Sequence, residues 1–316
     1  MQPVKRRRIM RKSRFILFLC LMFFNIAFCV PGMAAEANDT MKITAIDLGA
    51  ENTGEAAMIT DTNGSSLLLD TGDTHNSSIF EWLDFNGYKN SGFDMLVTHW
   101  HDDHAGNAAK IIARYSVGTV YIPPLDYIYS EDTDYYRYQR SYARKIVDAA
   151  MKKGTKIVYL RKGQEIRIGR VKGRVLYCCE SPKSENSYSV QYINNQSAVI
   201  MFTGGGTRFL AGGDIQTEAE NRILESGIDI KADIFKLSHH GINTSNSESF
   251  LKKIDPEYSY FTSNTATPYS MISDEVAESV SKAEKVSSVL STRYHGTICF
   301  TCCNGNITVS SERNQR

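Results

Sequence analysis

Short apolar runs bounded by polar and glycine-rich turns recur along this chain, and strands outnumber helices in the pattern they predict. Residues 43–48 form a first strand, and 57–59 with 66–69 a hairpin closed at Asp61-Thr62-Asn63-Gly64. Helical spacing predicts a helix over 79–88, ending near Gly87. Residues 95–97 read as a buried strand, 108–115 as a helix, and 119–122 as a strand stopped by Pro123-Pro124. An amphipathic helix is expected over 140–153 with Gly154 as its stop. Strands then dominate, at 157–160, 165–168, 174–179, 198–203, 208–211, 232–237, 258–262, 288–292, 297–302 and 307–309. Helices at 217–225, 247–254 and 274–285 interrupt them, the first with Thr217 and Glu220 at capping-box spacing. Strand-rich segments broken by helices in both halves predict an α/β fold, two sheets packed together with helices outside.

The strand at 95–97 runs into Thr98-His99-Trp100-His101-Asp102-Asp103-His104-Ala105-Gly106-Asn107. If the strand geometry continues, His99, His101 and Asp103 point to one side, and His104 stands where a helix would start. Imidazole nitrogens and carboxylate oxygens suit a borderline cation such as Zn²⁺ or Mn²⁺. Four such donors on one strand end can hold two metal ions side by side. A polar loop with chance histidines would explain one His, but not this spacing. Two further strand ends carry ligand-type residues: Gly212-Gly213-Asp214 and Ser238-His239-His240-Gly241. Asp214 can bridge two cations. Of the adjacent histidines one can reach the metals if the segment is extended; His240 is preferred and His239 stands second.

These residues resemble the metallo-β-lactamase superfamily, whose signature is a His-x-His-x-Asp-His run at a strand end. Asp70-Thr71-Gly72 is similar to the superfamily element whose Asp orients the metal loop. Ala45-Ile46-Asp47-Leu48-Gly49 with Gly54-Glu55-Ala56, Asn194-Asn195-Gln196-Ser197, and Leu237-Ser238-His239-His240-Gly241 with Ser245-Asn246 resemble the ComEC-type competence hydrolases. Residues 97–107 and 233–251 are also similar to the teichoic-acid phosphorylcholine esterase catalytic domain. The resemblance spans roughly residues 41–310. It implies an αββα sandwich of two mixed β-sheets flanked by helices, with a dinuclear metal centre. His99 and His101 would hold one metal, Asp103 and His104 the other; Asp214 would bridge and His240 complete the set. Many lactamases and thioesterases of the superfamily have a third His between the first motif and the bridging Asp. This chain has no His from 105 to 238. That argues against those branches and leaves Asn194, Asn195 and Ser197 in the equivalent region. His295 sits in Arg293-Tyr294-His295-Gly296-Thr297 and reads more simply as a turn residue.

Composition changes this picture at the N-terminus. Lys5, Arg6, Arg7, Arg8, Arg11, Lys12 and Arg14 precede an apolar run over 15–30, and Ala34-Ala35 offers a cleavage point. This three-part pattern predicts a secretory signal over residues 1–35 and a hydrolase domain over 36–316, with an uncleaved N-terminal anchor as the runner-up. After cleavage no stable membrane insertion is expected, and the protein is secreted or at the cell surface. Removing those seven cations from 36 Lys plus Arg leaves 29 against 35 Asp plus Glu, a net charge of about −6. That argues against a protein that mainly coats nucleic acid. Cys178, Cys179, Cys299, Cys302 and Cys303 remain; they read as strand residues with scope for one structural disulfide, not as a metal site.

Seven of the 17 tyrosines, Tyr121, Tyr127, Tyr129, Tyr135, Tyr136, Tyr138 and Tyr142, fall within 22 positions, interleaved with Asp126, Glu131, Asp132 and Asp134. Surface packing of an insertion accounts for them; an aromatic wall beside the site is the alternative.

Two cations sharing a water lower its pKa and neutralise charge on the attacked group. Asp103 and His240 are the residues expected at the chemistry itself, Asp103 accepting a proton from the incoming water. The first expectation is an exported phosphodiesterase on cell-wall or extracellular phosphodiesters such as phosphorylcholine esters. The alternatives are a ComEC-like nuclease acting on DNA and a metal-binding module without turnover.

Overall fold

The computed structural model describes residues 39–49, 54–129, 133–180, 189–263, 271–282, 285 and 288–313. The export signal expected over residues 1–35, and Glu131 and Asp132 of the tyrosine-rich stretch, lie outside them. The first half runs β1 (Thr40–Ala45), β2 (Ala57–Asp61), β3 (Ser66–Leu69), α1 (Ser78–Phe85), β4 (Phe93–Leu96), α2 (Asp102–Ala105), α3 (Ala108–Arg114), β5 (Val117–Ile122), α4 (Asp134–Lys153) and β6 (Lys156–Tyr159). The second half runs β7 (Glu165–Ile168), β8 (Val171–Tyr177), α5 (Ser189–Asn194), β9 (Val199–Gly204), β10 (Thr207–Ala211), α6 (Thr217–Glu225), β11 (Ile234–Lys236), α7 (Glu248–Ile254), β12 (Tyr258–Phe261), α8 (Asp274–Ser281), β13 (Ser288–Ser291), α9 (Thr292–His295), β14 (Ile298–Cys303) and β15 (Asn306–Ser311).

The strands form two mixed sheets, ordered β15-β14-β1-β2-β3-β4-β5-β6 and β13-β12-β11-β10-β9-β8-β7. Strands β3 to β6 run parallel, as do β10 to β13; the remaining pairings are antiparallel. The apolar runs are continuous because both faces of the central strands are covered. Along β3, Leu67 and Leu69 point into the space between the sheets while Leu68 points to the helices outside. In and just after β4, Leu96 joins the inter-sheet core, and Met95 and Val97 join the helix side. Phe202, Phe209 and Phe300 fill the inter-sheet layer. Trp100, Ile111 and Ile146 close one outer layer; Phe235, Ile223 and Phe250 close the other. Each such side chain contributes about 1.5–3 kcal/mol by leaving water. The result is the αββα sandwich the sequence predicted.

Three local expectations are corrected. Helix α4 begins at Asp134, not at residue 140, because Thr133 caps it and its side chain accepts from Tyr136 N at 3.3 Å. Four of the tyrosines, Tyr135, Tyr136, Tyr138 and Tyr142, therefore lie on a helix. Thr217 and Glu220 form no capping box. Glu220 is fully buried and accepts instead from the backbone N–H groups of Asn246 and Ser247, bracing the loop after His240. The five cysteines of residues 178–303 are all free thiols, so the optional disulfide is not formed.

The C-terminal ends of parallel strands β3 and β4 in one sheet, and of β10, β11 and β12 in the other, lead into the loops that carry the ligand-type residues. That is where open α/β sheets place their sites.

Candidate metal centre

Asp70 follows β3 in the left-handed region, with φ of 57°. Its Oδ1 accepts from Thr98 N at 2.7 Å and its Oδ2 from Thr98 Oγ1 at 2.8 Å, so one carboxylate fixes the start of the histidine loop. Asn107 ties down the other end, its Nδ2 reaching the carbonyls of Thr71, Asp73 and Asn76 at 3.3, 2.6 and 3.0 Å. Gly106 lies between, against the backbone of Gly72 and Thr74, where any Cβ would collide.

Each histidine of the cluster has its outward nitrogen occupied. His99 Nδ1 lies 3.1 Å from Thr98 Oγ1, and His104 Nδ1 lies 2.8 Å from Asp70 Oδ2. His101 Nε2 lies 2.5 Å from Tyr135 Oη, and His240 Nδ1 lies 2.9 Å from Thr262 Oγ1. With those nitrogens as donors, the inward ones can present lone pairs to a metal, that of His104 once its Nε2 proton has left.

The inward atoms form two sets. His99 Nε2 and His101 Nδ1 face each other at 3.0 Å. Asp103, His104, Asp214 and His240 place one ligand atom each within 4.8 Å of the others. Asp214 Oδ2 lies 3.2 Å from His104 Nε2, 3.6 Å from His240 Nε2 and 4.0 Å from His99 Nε2, so it stands between the two sets. Asp103 Oδ2 lies 3.2 Å from His240 Nε2. The structure thus brings together all six residues that the sequence singled out.

His239 and His240 are not extended, as the alternation argument assumed. Both adopt left-handed conformations, with φ of 50° and 53°, and this turn aims His240 at Asp103 and Asp214. His239 points to the pocket wall, its Nε2 3.3 Å from Asn194 Nδ2 and its Nδ1 2.7 Å from Thr244 Oγ1. The residues of the third-histidine region act on neighbours: Asn195 Oδ1 accepts from Gln216 N, and Ser197 Oγ accepts from Asp214 N. His295 lies outside the cluster, its Nδ1 3.0 Å from Ser291 O.

Burial, then the neighbouring imidazoles, hold His99 well below its ordinary pKa; burial also lowers His101. His239 is pushed down to about 4 by burial. His104 behaves oppositely. Burial works against its charge, but Asp214, Asp70 and Asp103 outweigh it and hold the imidazole well above the ordinary value. Burial would raise Asp103 and Asp214, yet His104 and their other cationic neighbours hold both below the usual carboxylate range.

The donor set fits a metal. His104 Nε2 is fully buried and makes no hydrogen bond of good geometry, with Asp214 Oδ2 3.2 Å away, so a cation received between them would satisfy both. Convergent imidazoles and carboxylates suit a divalent ion.

A family model described as the metallo-beta-lactamase superfamily matches residues 53–183. The chain is 25% identical over 256 residues to ComE operon protein 3 of Bacillus subtilis, covering 76% of this chain and 30% of that protein. Competence protein ComA of Neisseria gonorrhoeae is 35% identical over 77 residues, 24% of this chain and 11% of that protein. The chain thus spans less than a third of these relatives' length. Among solved structures, Igni18, a metallo hydrolase from Ignicoccus hospitalis, superposes with a TM-score of 0.51 at 16% identity, covering 82% of this chain and 98% of that one. Residues 53–183 thus match the metallo-β-lactamase superfamily, and the fold around them is that of a metallo-β-lactamase-like αββα sandwich.

The centre opens into a pocket of about 470 Å³ lined by Asp73, Asp102, Tyr135, Tyr138, Asn194 and His239, among others. Among the described residues, none that lines it is Lys or Arg. Asp73, Asp102 and Asp103 beside Tyr135 and Tyr138 make the mouth acidic and aromatic, and burial, then Asp103 and Asp73, raise the pKa of Asp102.

Sequence reasoning missed two contributors. Tyr135 was one of seven candidate tyrosines and emerged as the partner of His101 only through the helix start at Asp134. Lys236 was passed over, although a lysine inside the apolar run Ile234-Phe235-Lys236-Leu237 is itself a signal. It is fully buried. Burial acts to lower its pKa, and Glu55 and Asp214 more than offset this.

Proposed function

We propose that this chain is an exported hydrolase that uses two divalent metal ions, Zn²⁺ first and Mn²⁺ second, to cleave phosphodiesters. The observation that carries this reading is Asp214 Oδ2 standing between His99 and His101 on one side and Asp103, His104 and His240 on the other. His99 and His101 would hold one ion, Asp103, His104 and His240 the other, with Asp214 shared. When bound, the ions supply an activated water and neutralise charge on the attacked phosphorus. The chain's own residues do the rest. Asp103 Oδ2, beside His240 Nε2 at the pocket floor, accepts the proton that the attacking water gives up. Tyr135, Asp70 and Thr262 hold the histidine rings so that no reorganisation is needed during the reaction.

The acidic, aromatic mouth favours a phosphodiester bearing a cationic group, such as a phosphorylcholine ester, over a polyanion. The second reading is a nuclease. It is favoured by the similarity to a competence protein and to ComE operon protein 3. The metal-loaded chain should be assayed against p-nitrophenyl phosphorylcholine, bis-p-nitrophenyl phosphate, single-stranded DNA and nitrocefin. Faster cleavage of the choline ester than of the bis-aryl ester is the expected result. Preferential degradation of DNA moves the assignment to the nuclease. Nitrocefin cleavage without phosphodiester cleavage overturns both.

A further inference from the structure

Asp214 has two carboxylate oxygens, and they live in different surroundings. Oδ2 faces the histidines. Oδ1 faces the opposite way, 3.3 Å from Lys236 Nζ. The same ammonium donates to Gly213 O at 2.9 Å and pairs with the carboxylate of Glu55. Three acceptors thus surround a group with three N–H bonds, in a place that water does not reach. Glu55 is itself anchored to the histidine loop: its backbone N donates to Asp103 O at 3.0 Å, and its carbonyl accepts from Gly72 N at 2.9 Å. Asp214 N donates to Ser197 Oγ at 3.1 Å. The carboxylate therefore has one oxygen tied to a strut that joins the loops after β10, before β2 and after β4, and only one oxygen free.

We infer that Lys236 sets how Asp214 meets the metal ions: by holding Oδ1, it leaves Oδ2 as the single atom offered to both. This rests on the two-metal reading above. A carboxylate free at both oxygens could give one to each ion. A carboxylate with one oxygen engaged by an ammonium must share the other. Lys236 is in this sense a positioning residue: it acts on the centre only through Asp214. The alternative is that Lys236 and Glu55 are a buried ion pair serving the fold alone. Their chemistry separates the two cases. Without Lys236, the buried Glu55 is left without its cation and takes up a proton, so the net charge behind the site changes little. What is lost is the hold on Oδ1.

The test uses Mn²⁺ as the sole probe, with the full chain and temperatures well below the unfolding midpoint. Wild type should take up two equivalents and give an exchange-coupled pair signal by electron paramagnetic resonance. Lys236→Met should bind the second equivalent about tenfold or more weakly and show isolated Mn²⁺ signals, in the range expected when a partner of a ligand is lost. Glu55→Gln keeps the ammonium on Oδ1 and should keep the coupled signal. If Lys236→Met does not fold, the double variant Glu55→Leu/Lys236→Met removes both buried charges together and should show the same loss of coupling. A folded Lys236 variant, single or double, that loads and couples two Mn²⁺ as wild type does overturns the inference and leaves the two-metal reading standing. Equal losses in Lys236→Met and Glu55→Gln also overturn it, in favour of a role in the fold alone. A wild-type chain that takes up no second Mn²⁺ removes the two-metal reading, and the inference with it.

Discussion

The hydroxyl of Tyr135 lies 2.5 Å from Nε2 of His101, and the opposite nitrogen of that ring faces His99 Nε2 at 3.0 Å. A helix in the tyrosine-rich stretch thus reaches over to steer a ring in the histidine loop. Tyr135→Phe keeps the ring and deletes the contact. Outer partners of this kind are worth about 10–100-fold in metal affinity. The variant should lose that much in the first site, measured by chelator competition. Tyr136→Phe, one residue along but wholly inside the helix layer, should leave metal affinity unchanged. Equal affinities for Tyr135→Phe and wild type would remove the steering role.

Metal binding should release protons. In the metal-free protein His104 holds a proton well above the ordinary histidine range, because Asp214, Asp70 and Asp103 outweigh its burial. A metal taken on Nε2 must displace that proton. The proton is bound in the free state and absent in the loaded one, so acid favours the free state. Apparent affinity should therefore rise about tenfold per pH unit below that raised pKa. Calorimetry in buffers of different ionisation enthalpy reads the proton count directly. An affinity flat with pH would sink the prediction.

Glu220 braces the loop that carries His240. Its carboxylate accepts from the N–H groups of Asn246 and Ser247, and Asn246 in turn accepts from Ser238 N at 2.8 Å. Glu220→Ala leaves two backbone donors unpaired. At about 1.5–3 kcal/mol for each hydrogen bond to a charged group, stability should fall by about 3–6 kcal/mol. Denaturant midpoints check this, and the activity lost at low temperature should exceed that of an exposed control such as Glu225→Ala. A midpoint within error of wild type would show that the loop holds itself.

The motif at 99–104 was legible because period-two geometry and ligand chemistry coincide there, and Asp214 and His240 followed from strand ends. The two-sheet fold was legible because runs such as Leu67-Leu68-Leu69 need cover on both faces. The choice between His239 and His240 was argued from an extended chain. The fold makes it with two consecutive left-handed residues instead, a conformation that no side-chain pattern announces. Helix α4 was placed six residues late because its first turns carry aromatic residues, whose helix preference is modest and whose real anchor is the Thr133 cap. Lys236 stayed hidden because its partner Glu55 lies 181 positions earlier in the chain.

The tyrosines divide by position, and this sharpens the test of substrate. Tyr136 is wholly buried and Tyr127 nearly so, while Tyr129 is exposed with the Arg140 guanidinium over its ring at 5.5 Å. Among the described tyrosines, Tyr135 and Tyr138 are the ones that line the pocket. Tyr138 donates to Asp102 Oδ2 at 3.2 Å and accepts from Tyr142 at 2.7 Å, so its ring is held at the mouth beside a carboxylate. A quaternary ammonium donates no hydrogen bonds and is held by aromatic faces, at about 0.5–2 kcal/mol per well-placed ring. A nucleobase would stack on the same ring, but Asp73 and Asp102 would repel its phosphates. Tyr138→Leu should therefore raise KM for a choline ester about 2- to 30-fold and leave a neutral isostere of the same shape unchanged. Asp102→Asn should act in the same direction, because it removes negative charge facing the cation. Tyr127→Leu and Tyr129→Leu should not discriminate between the two substrates. Tyr135 is unsuitable as the probe, since losing it disturbs His101 for every substrate. Equal changes for both substrates in Tyr138→Leu would return that ring to a purely structural place at the start of α4, and the acidic mouth would then need another cation to explain it.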